Sequence, residues 1–165
     1  MEKIVTVEGK INADKLVLCV LFSEGIGFLS SAFSKGYLSL YGKLLLPGFA
    51  PPAWVFSPVW TILYFLMGLA SYRIWMGAPS NPYRKLALFY FCVQLGLNFL
   101  WSILFFRFQW RGAAFIEILM LLLFILLATG KFYKIDKMAT YFMLPYVAWV
   151  SFASLLNFSI WKLNQ

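Results

Sequence analysis

Five long apolar runs dominate the pattern of hydrophobic and polar positions along this chain. They cover about residues 13–33, 55–76, 83–106, 112–132 and 138–161, and polar or proline-rich segments separate them. Each run is close to the ~20 residues that a helix needs to cross a bilayer. Because hydrocarbon offers the backbone no hydrogen-bond partner, we expect every run to be an α-helix. The pattern therefore predicts an all-α membrane protein, in which residues 1–165 form one five-helix transmembrane domain.

Composition supports this class of protein. Hydrophobic residues make up 62% of the chain and charged residues 12%, whereas ordinary soluble domains are roughly 45–50% apolar and about 25% charged. The net charge of +8 does not indicate nucleic acid, because the basic residues are scattered at the ends of the apolar runs. We expect the lipid bilayer, and its headgroups in particular, to be their partner.

The basic residues also predict an orientation. Five spans place the termini on opposite sides, and nine basic residues would then share the side of the N-terminus against five on the other side. The first group is Lys3, Lys10, Lys15, Arg73, Arg84, Lys85, Lys131, Lys134 and Lys137, and the second is Lys35, Lys43, Arg107, Arg111 and Lys162. The positive-inside rule puts the N-terminus inside and the long loop 34–54 outside. We expect a bacterial cell membrane, or the mitochondrial outer membrane if the source is eukaryotic.

The side chains that usually carry catalysis or bind metals are scarce. Histidine is absent, and both cysteines, Cys19 and Cys92, fall inside apolar runs, where they are expected to be small buried hydrophobes. No zinc spacing, disulfide framework or Cys–His nucleophile can be drawn from these residues. We therefore predict no catalytic residue, no metal site and no required cofactor.

The first apolar run contains an acidic residue and several small ones. Glu24 stands in the middle of the predicted helix, where a charge is costly. It is either a proton site or ligand anchor, or a protonated group that is hydrogen-bonded inside the bundle. Gly27 and Ser31 have the spacing that lets membrane helices approach closely, although small residues also occur in such helices without that role.

The long loop 34–54 ends in a segment that is rich in proline and aromatic residues. Pro47, Pro51, Pro52 and Pro58 exclude a regular helix interior from Pro47 to Ser57, and Pro58 suits the first turn of the second helix. Aromatic side chains crowd the same segment. We expect a stiff lid that lays aromatic rings over the mouth of the helix bundle. Its residues would be Phe49, Pro51, Pro52 and Trp54.

Three predicted helices each carry one stripe of aromatic and polar residues. At 100° per residue, each of the following sets shares a helix face. The sets are Trp60, Tyr64, Met67 and Ser71 on the second helix, Gln94, Asn98, Trp101 and Phe105 on the third, and Pro145, Trp149, Ala153 and Asn157 on the fifth. Such polar groups either join helices or form the floor of a ligand site. The convergence of three stripes favours a ligand pocket between the helices.

The same segments resemble a known family, the translocator protein and tryptophan-rich sensory protein (TspO/MBR) family. Its signature around the second helix is matched by Pro47, Pro51, Pro52, Trp54, Pro58, Val59, Trp60, Leu63, Tyr64, Met67 and Gly68. Phe49 stands where the family usually has tryptophan. QLGLNFLW on the third helix and PYVAWVSFASLLN on the fifth resemble two further blocks of the family.

This resemblance implies a five-helix fold, a homodimer, and binding of porphyrins, sterols or benzodiazepine-site ligands in a pocket closed by the first loop. The implied pocket residues here are Trp60, Tyr64, Gln94, Asn98, Trp101, Trp149, Ala153 and Asn157. The family's sterol-recognition pattern is not intact, because Phe158 replaces its tyrosine. We expect a receptor or carrier for a porphyrin or another flat hydrophobic molecule. The alternatives are light-dependent breakdown of porphyrin, which some family members are associated with, and a scaffold whose stripes only pack helices.

Overall fold

A computed structural model describes residues 2–7, 9–34, 41–77 and 79–165, without the side chains of residues 2 and 3. Its helices are α1 (Glu2–Val5), α2 (Ala13–Ser34), α3 (Phe56–Met76), α4 (Arg84–Ser102), α5 (Arg111–Tyr133) and α6 (Lys137–Leu163). A 3₁₀ turn, Ala53–Val55, leads into α3, and a π-helical turn, Ile103–Arg107, extends α4. Residues 35–40 of the predicted loop, including Lys35 of the second basic group, lie outside the described residues.

The helices α2 to α6 are each long and apolar enough to cross a membrane. They confirm the predicted all-α fold with five spans, and the described residues contain no β-strand. Each predicted helix end lies within two residues of an observed one, when the π turn is counted with α4. The turn arises because the Phe108 N–H donates to the Ile103 carbonyl, five residues back, at 3.0 Å.

The five spanning helices form a closed ring of neighbours. Going round the ring, α2 packs on α3, α3 on α6, α6 on α5, α5 on α4, and α4 returns to α2. The centre is filled by side chains with no exposed surface, among them Met67, Ile125, Phe132 and Tyr146. In this order α2 has α3 and α4 as its two neighbours. On its other side, α3 packs against α6.

The contact between α2 and α3 is close because glycine occupies two positions in it. A Cβ on Gly27 would overlap the ring of Tyr64, and one on Gly68 would lie 2.7 Å from the Cα of Val20. Gly27 thus has the close-packing role that its spacing indicated. Ser31, its expected partner in that motif, is exposed instead.

Arg73 ties three segments together at one end of the bundle. Its Nε lies 3.1 Å from both carboxylate oxygens of Asp136, and its Nη2 lies 2.7 Å from Oδ2. Its Nη1 donates to the carbonyl of Ile4 at 2.7 Å. Asp136 also caps α6 by accepting from the Ala139 N–H at 2.8 Å. Burial alone would raise the pKa of Asp136, but the hydrogen bonds from Arg73 and Ala139 hold that pKa below its ordinary value.

Candidate functional site

A cavity of about 310 Å³ lies between α2, α3 and α4, and we name it the α2–α4 cavity. Ring side chains form much of its wall: Phe28, Phe56, Trp60, Tyr64, Trp101 and Phe106. The remaining lining residues are small or polar: Glu24, Gly27, Ser30, Ser31, Ser34, Ser57, Thr61, Asn98 and Ser102. Its mixture of apolar surface and a few polar groups is typical of small-molecule sites.

A buried chain of hydrogen bonds begins at this wall. The Tyr64 hydroxyl donates to Asn98 Oδ1 at 2.5 Å, and Asn98 Nδ2 donates to the Tyr146 hydroxyl at 2.8 Å. The Tyr146 hydroxyl then donates to Gln94 Oε1 at 2.8 Å, and Gln94 Nε2 lies 3.8 Å from the sulfur of Met67. The chain joins α3, α4 and α6, so it fixes the orientation of Asn98 and Tyr64 at the cavity.

Trp101 is held by a second set of hydrogen bonds, which is separate from this chain. Its indole Nε1 donates to Asn157 Oδ1 at 3.0 Å, and Asn157 Nδ2 donates to the carbonyl of Arg111 at 3.0 Å. The ring of Phe105 stacks on Trp101 with centroids 5.2 Å apart. The π-helical turn carries Phe105 and Phe106, and both rings pack against Trp101. This arrangement makes Trp101 a rigid part of the cavity wall.

A second cavity lies between α3 and α6, and we name it the α3–α6 cavity. Its volume is about 560 Å³, and its lining is almost entirely apolar: Pro51, Val59, Ile62, Leu63, Pro145, Ala148, Trp149 and Phe152. The ring of Phe56, which lines the α2–α4 cavity, meets the ring of Trp149 edge-on at 5.9 Å. Phe56 lines the first cavity and Trp149 the second, so the contact of their rings lies at the boundary of the two cavities.

The predicted pocket residues are therefore divided between several places. Trp60, Tyr64, Asn98 and Trp101 line the α2–α4 cavity, and Trp149 lines the α3–α6 cavity. Gln94 and Asn157 are buried behind the wall, where they hold Asn98 and Trp101. Ala153 is buried at 6% exposure and lines neither cavity. The expected convergence of three stripes on one pocket is thus corrected: the α6 stripe does not reach the α2–α4 cavity.

Two of the predicted lid residues, Phe49 and Pro51, lie beside α6 rather than at the α2–α4 cavity. Pro51 lines the α3–α6 cavity, and its carbonyl accepts from the Tyr41 hydroxyl at 3.3 Å. The ring of Phe49 contacts that of Phe152 at 6.2 Å. Pro52 is exposed, and Trp54 is 74% exposed. Neither of these two lines the α2–α4 cavity or the α3–α6 cavity, and the lid role of Trp54 stays a prediction.

Sequence reasoning missed two features of the site. Tyr146 is the centre of the hydrogen-bond chain, but it lies outside the predicted stripe of Pro145, Trp149, Ala153 and Asn157 and is part only of a family sequence block. The hydrogen bond of 2.7 Å from the Ser30 hydroxyl to the Ser102 hydroxyl joins α2 to α4 at the cavity. Serines are frequent in membrane helices, so only the helix pairing could have revealed it.

The comparison with known proteins agrees with this architecture. The model of the TspO/MBR family matches residues 19–162, which include nearly all of the five spanning helices. The chain belongs to the TspO/MBR family. Membership confirms the resemblance of the three sequence blocks, and together with the five apolar helices it makes the chain an integral membrane protein.

Individual TspO/MBR proteins match over almost their whole length. The tryptophan-rich protein TspO of Archaeoglobus fulgidus is 42% identical over 155 residues, which cover 93% of this chain and 99% of that protein. The translocator protein of Sus scrofa is 35% identical over 143 residues, covering 84% and 83%. The protein CrtK of Rhodobacter capsulatus is 33% identical over 138 residues, covering 84% and 85%. The similarity therefore extends over the whole helical bundle.

Proposed function

We propose that this TspO/MBR protein is a membrane receptor or carrier for flat hydrophobic molecules, and that a porphyrin is its ligand. The α2–α4 cavity carries this proposal. Two indole rings, Trp60 and Trp101, stand in the same cavity wall as the amide of Asn98. Aromatic faces stack on a planar macrocycle, and an amide can hydrogen-bond to its polar atoms.

The size of the cavity limits how a porphyrin would sit. A volume of about 310 Å³ is near the lower end of the range for ligand sites, roughly 300–1,000 Å³. One part of the macrocycle would enter between Trp60 and Trp101, and the rest would extend past the rim. Phe28 at that rim is 74% exposed. Arg107 directly follows the lining residue Phe106 in the chain, and we propose this basic residue as the partner of a propionate outside the cavity.

The chain's own residues favour a metal-free porphyrin. Histidine is absent from the sequence, so no imidazole can bind the iron of a haem. Among the described residues, no three Cys, Asp or Glu side chains come together as a metal site. The proposal therefore needs no resident cofactor, and it includes an iron porphyrin only if the iron is held without imidazole. Ligands of the benzodiazepine-site type, being flat and apolar, would suit the same aromatic walls.

The proposal extends to the membrane and to assembly. We place the protein in a bacterial cell membrane as a homodimer. We propose the outward face of α5 as the contact with the second copy; it is apolar at Ile116, Leu119, Met120, Leu123 and Leu126, which suits a protein partner and lipid alike. Light scattering of the detergent-solubilised protein tests this, since a mass of one chain would contradict the dimer.

A titration with protoporphyrin tests the receptor function. Quenching of tryptophan fluorescence should saturate at a fixed stoichiometry in purified protein. Trp60→Phe should remove a large share of the quenching, because Trp60 lines the cavity, whereas Trp110→Phe should not, because Trp110 is exposed and lines neither cavity. Quenching that never saturates would contradict the proposal and favour a scaffold. Repeating the titration in darkness and in light separates binding from light-dependent breakdown, which would give a product only in light.

A further inference from the structure

The polar side of α2 faces the α2–α4 cavity. Glu24, Gly27, Ser30, Ser31 and Ser34 all line it, and at 100° per residue these positions share one face of the helix. The opposite side of α2 is apolar and exposed, with Leu18, Leu21 and Leu29 among its residues. Most of the rings in the cavity thus come from α3, α4 and the π-helical turn, whereas α2 contributes three serine hydroxyls, the Glu24 carboxyl and one ring, Phe28.

Among the described residues that line the cavity, Glu24 alone has a side chain of a charged type, and no lysine or arginine is present. Within residues 2–7, 9–34, 41–77 and 79–165, the Glu24 carboxyl has neither a hydrogen bond nor an ion pair. Glu24 and Tyr64 line the same cavity. A carboxylate near the middle of a membrane helix is costly without a partner. None of the described residues pairs with this carboxyl, so a cationic group that enters the cavity would supply the missing partner.

We propose that the α2–α4 cavity also binds planar aromatic cations, with the cationic nitrogen paired to Glu24. The rings of Trp60 and Trp101 fit this ligand class, because an indole face attracts a cation. The volume of about 310 Å³ is filled by a ligand of two or three fused rings. The same carboxylate disfavours a ligand that enters with an anionic group first. A porphyrin would therefore enter with its propionates outward.

Binding of acridine and 9-aminoacridine tests the inference, because the two probes share one ring system and differ in charge at neutral pH. Both fluoresce, and an uncharged maltoside detergent avoids attraction of the cation to lipid. The parent protein should bind 9-aminoacridine about tenfold more tightly than acridine. Glu24→Gln should abolish this preference while changing the affinity for acridine less than about twofold. Glu24→Asp, which keeps the charge, should retain the preference.

Glu117→Gln is the matched control. Glu117 is also an acidic residue on a spanning helix, but it is 7% exposed and does not line the cavity. It should keep the full preference for the cation. A parent protein without the preference, or a Glu24→Gln variant that still shows it, would overturn the inference, and so would its loss in Glu117→Gln.

The inference shares one assumption with the proposed function, which is that ligands enter the α2–α4 cavity. Protoporphyrin in the same preparation separates the two ideas. If protoporphyrin fails to bind saturably while the cation preference is intact, the porphyrin proposal fails and the Glu24 inference stands. If protoporphyrin binds saturably and the two acridines bind equally, the Glu24 inference alone is overturned.

Discussion

The Tyr64 hydroxyl and the Asn98 side chain are joined by a hydrogen bond of 2.5 Å, and both residues line the α2–α4 cavity. The bond links α3 to α4, and Asn98 links onward to α6 through Tyr146. The sequence left open whether the amide on α4 joins helices or forms the floor of a ligand site. In the structure the same side chain joins helices and lies in the cavity wall, so a change at Asn98 alters stability and the cavity together.

Asn98→Leu should destabilise the protein. It leaves the Tyr64 hydroxyl without an acceptor and removes the donor that reaches Tyr146. An unsatisfied buried group costs about 1–3 kcal/mol. Thermal unfolding in detergent, without ligand, measures the loss. Thr61→Ala is the control, because Thr61 also lines the cavity but its hydroxyl bonds only to its own helix, at Ser57. Equal stability of Asn98→Leu and the parent would show that the network contributes nothing.

Gly27→Ala and Gly25→Ala should differ sharply although they lie on the same helix. The new Cβ at Gly27 overlaps the Tyr64 ring, whereas nothing lies within 4 Å of a Cβ at Gly25. Overpacking of this kind typically costs about 1–3 kcal/mol, and alanine in an open helix position is neutral or better. Unfolding temperatures of the two variants test this. A Gly27→Ala variant as stable as Gly25→Ala would mean that α2 does not approach α3 this closely.

Asp136→Asn should lower the free energy of unfolding at neutral pH and should have no effect on it in acid. Asparagine can keep the cap on Ala139, but it loses the charged pair with Arg73, whose hydrogen bonds are worth about 1.5–3 kcal/mol. The folded pKa of Asp136 lies below its ordinary value, so its contribution is complete above pH of about 4 and is lost as pH falls through the folded pKa.

Unfolding free energies of the parent and Asp136→Asn across pH measure that contribution. The gap between the two should be constant around neutrality and should close in acid. Asp14→Asn removes one exposed carboxylate on α2 and should leave a much smaller gap at every pH. A gap for Asp136→Asn that persists unchanged in strong acid would exclude the ion pair as its cause.

The sequence predicted the spanning helices well because each apolar run is too long and too apolar to be a helix of a soluble protein. It also predicted that Gln94, Asn98 and Trp101 of α4 point into the bundle, since they share one face, and all three are buried. It did not predict where the faces of different helices meet. That depends on the ring order, in which α3 lies between α2 and α6, so Trp60 and Trp149 line different cavities. The ion pair between Arg73 and Asp136 was not predicted either, because the two residues are 63 positions apart in the sequence and only the packing of the helices brings them together.

Two adjacent residues on α3 allow the most direct test of the receptor proposal. Thr61 lines the α2–α4 cavity and Ile62 lines the α3–α6 cavity, and both are exposed enough to accept a larger side chain. The measurement is the Kd of protoporphyrin for the parent, Thr61→Phe and Ile62→Phe in detergent. Filling the α2–α4 cavity should raise Kd by at least about tenfold, or 1.4 kcal/mol, in Thr61→Phe and by less than about twofold in Ile62→Phe. An unchanged Kd in Thr61→Phe, or a loss of affinity only in Ile62→Phe, would contradict the assignment of the α2–α4 cavity as the porphyrin site.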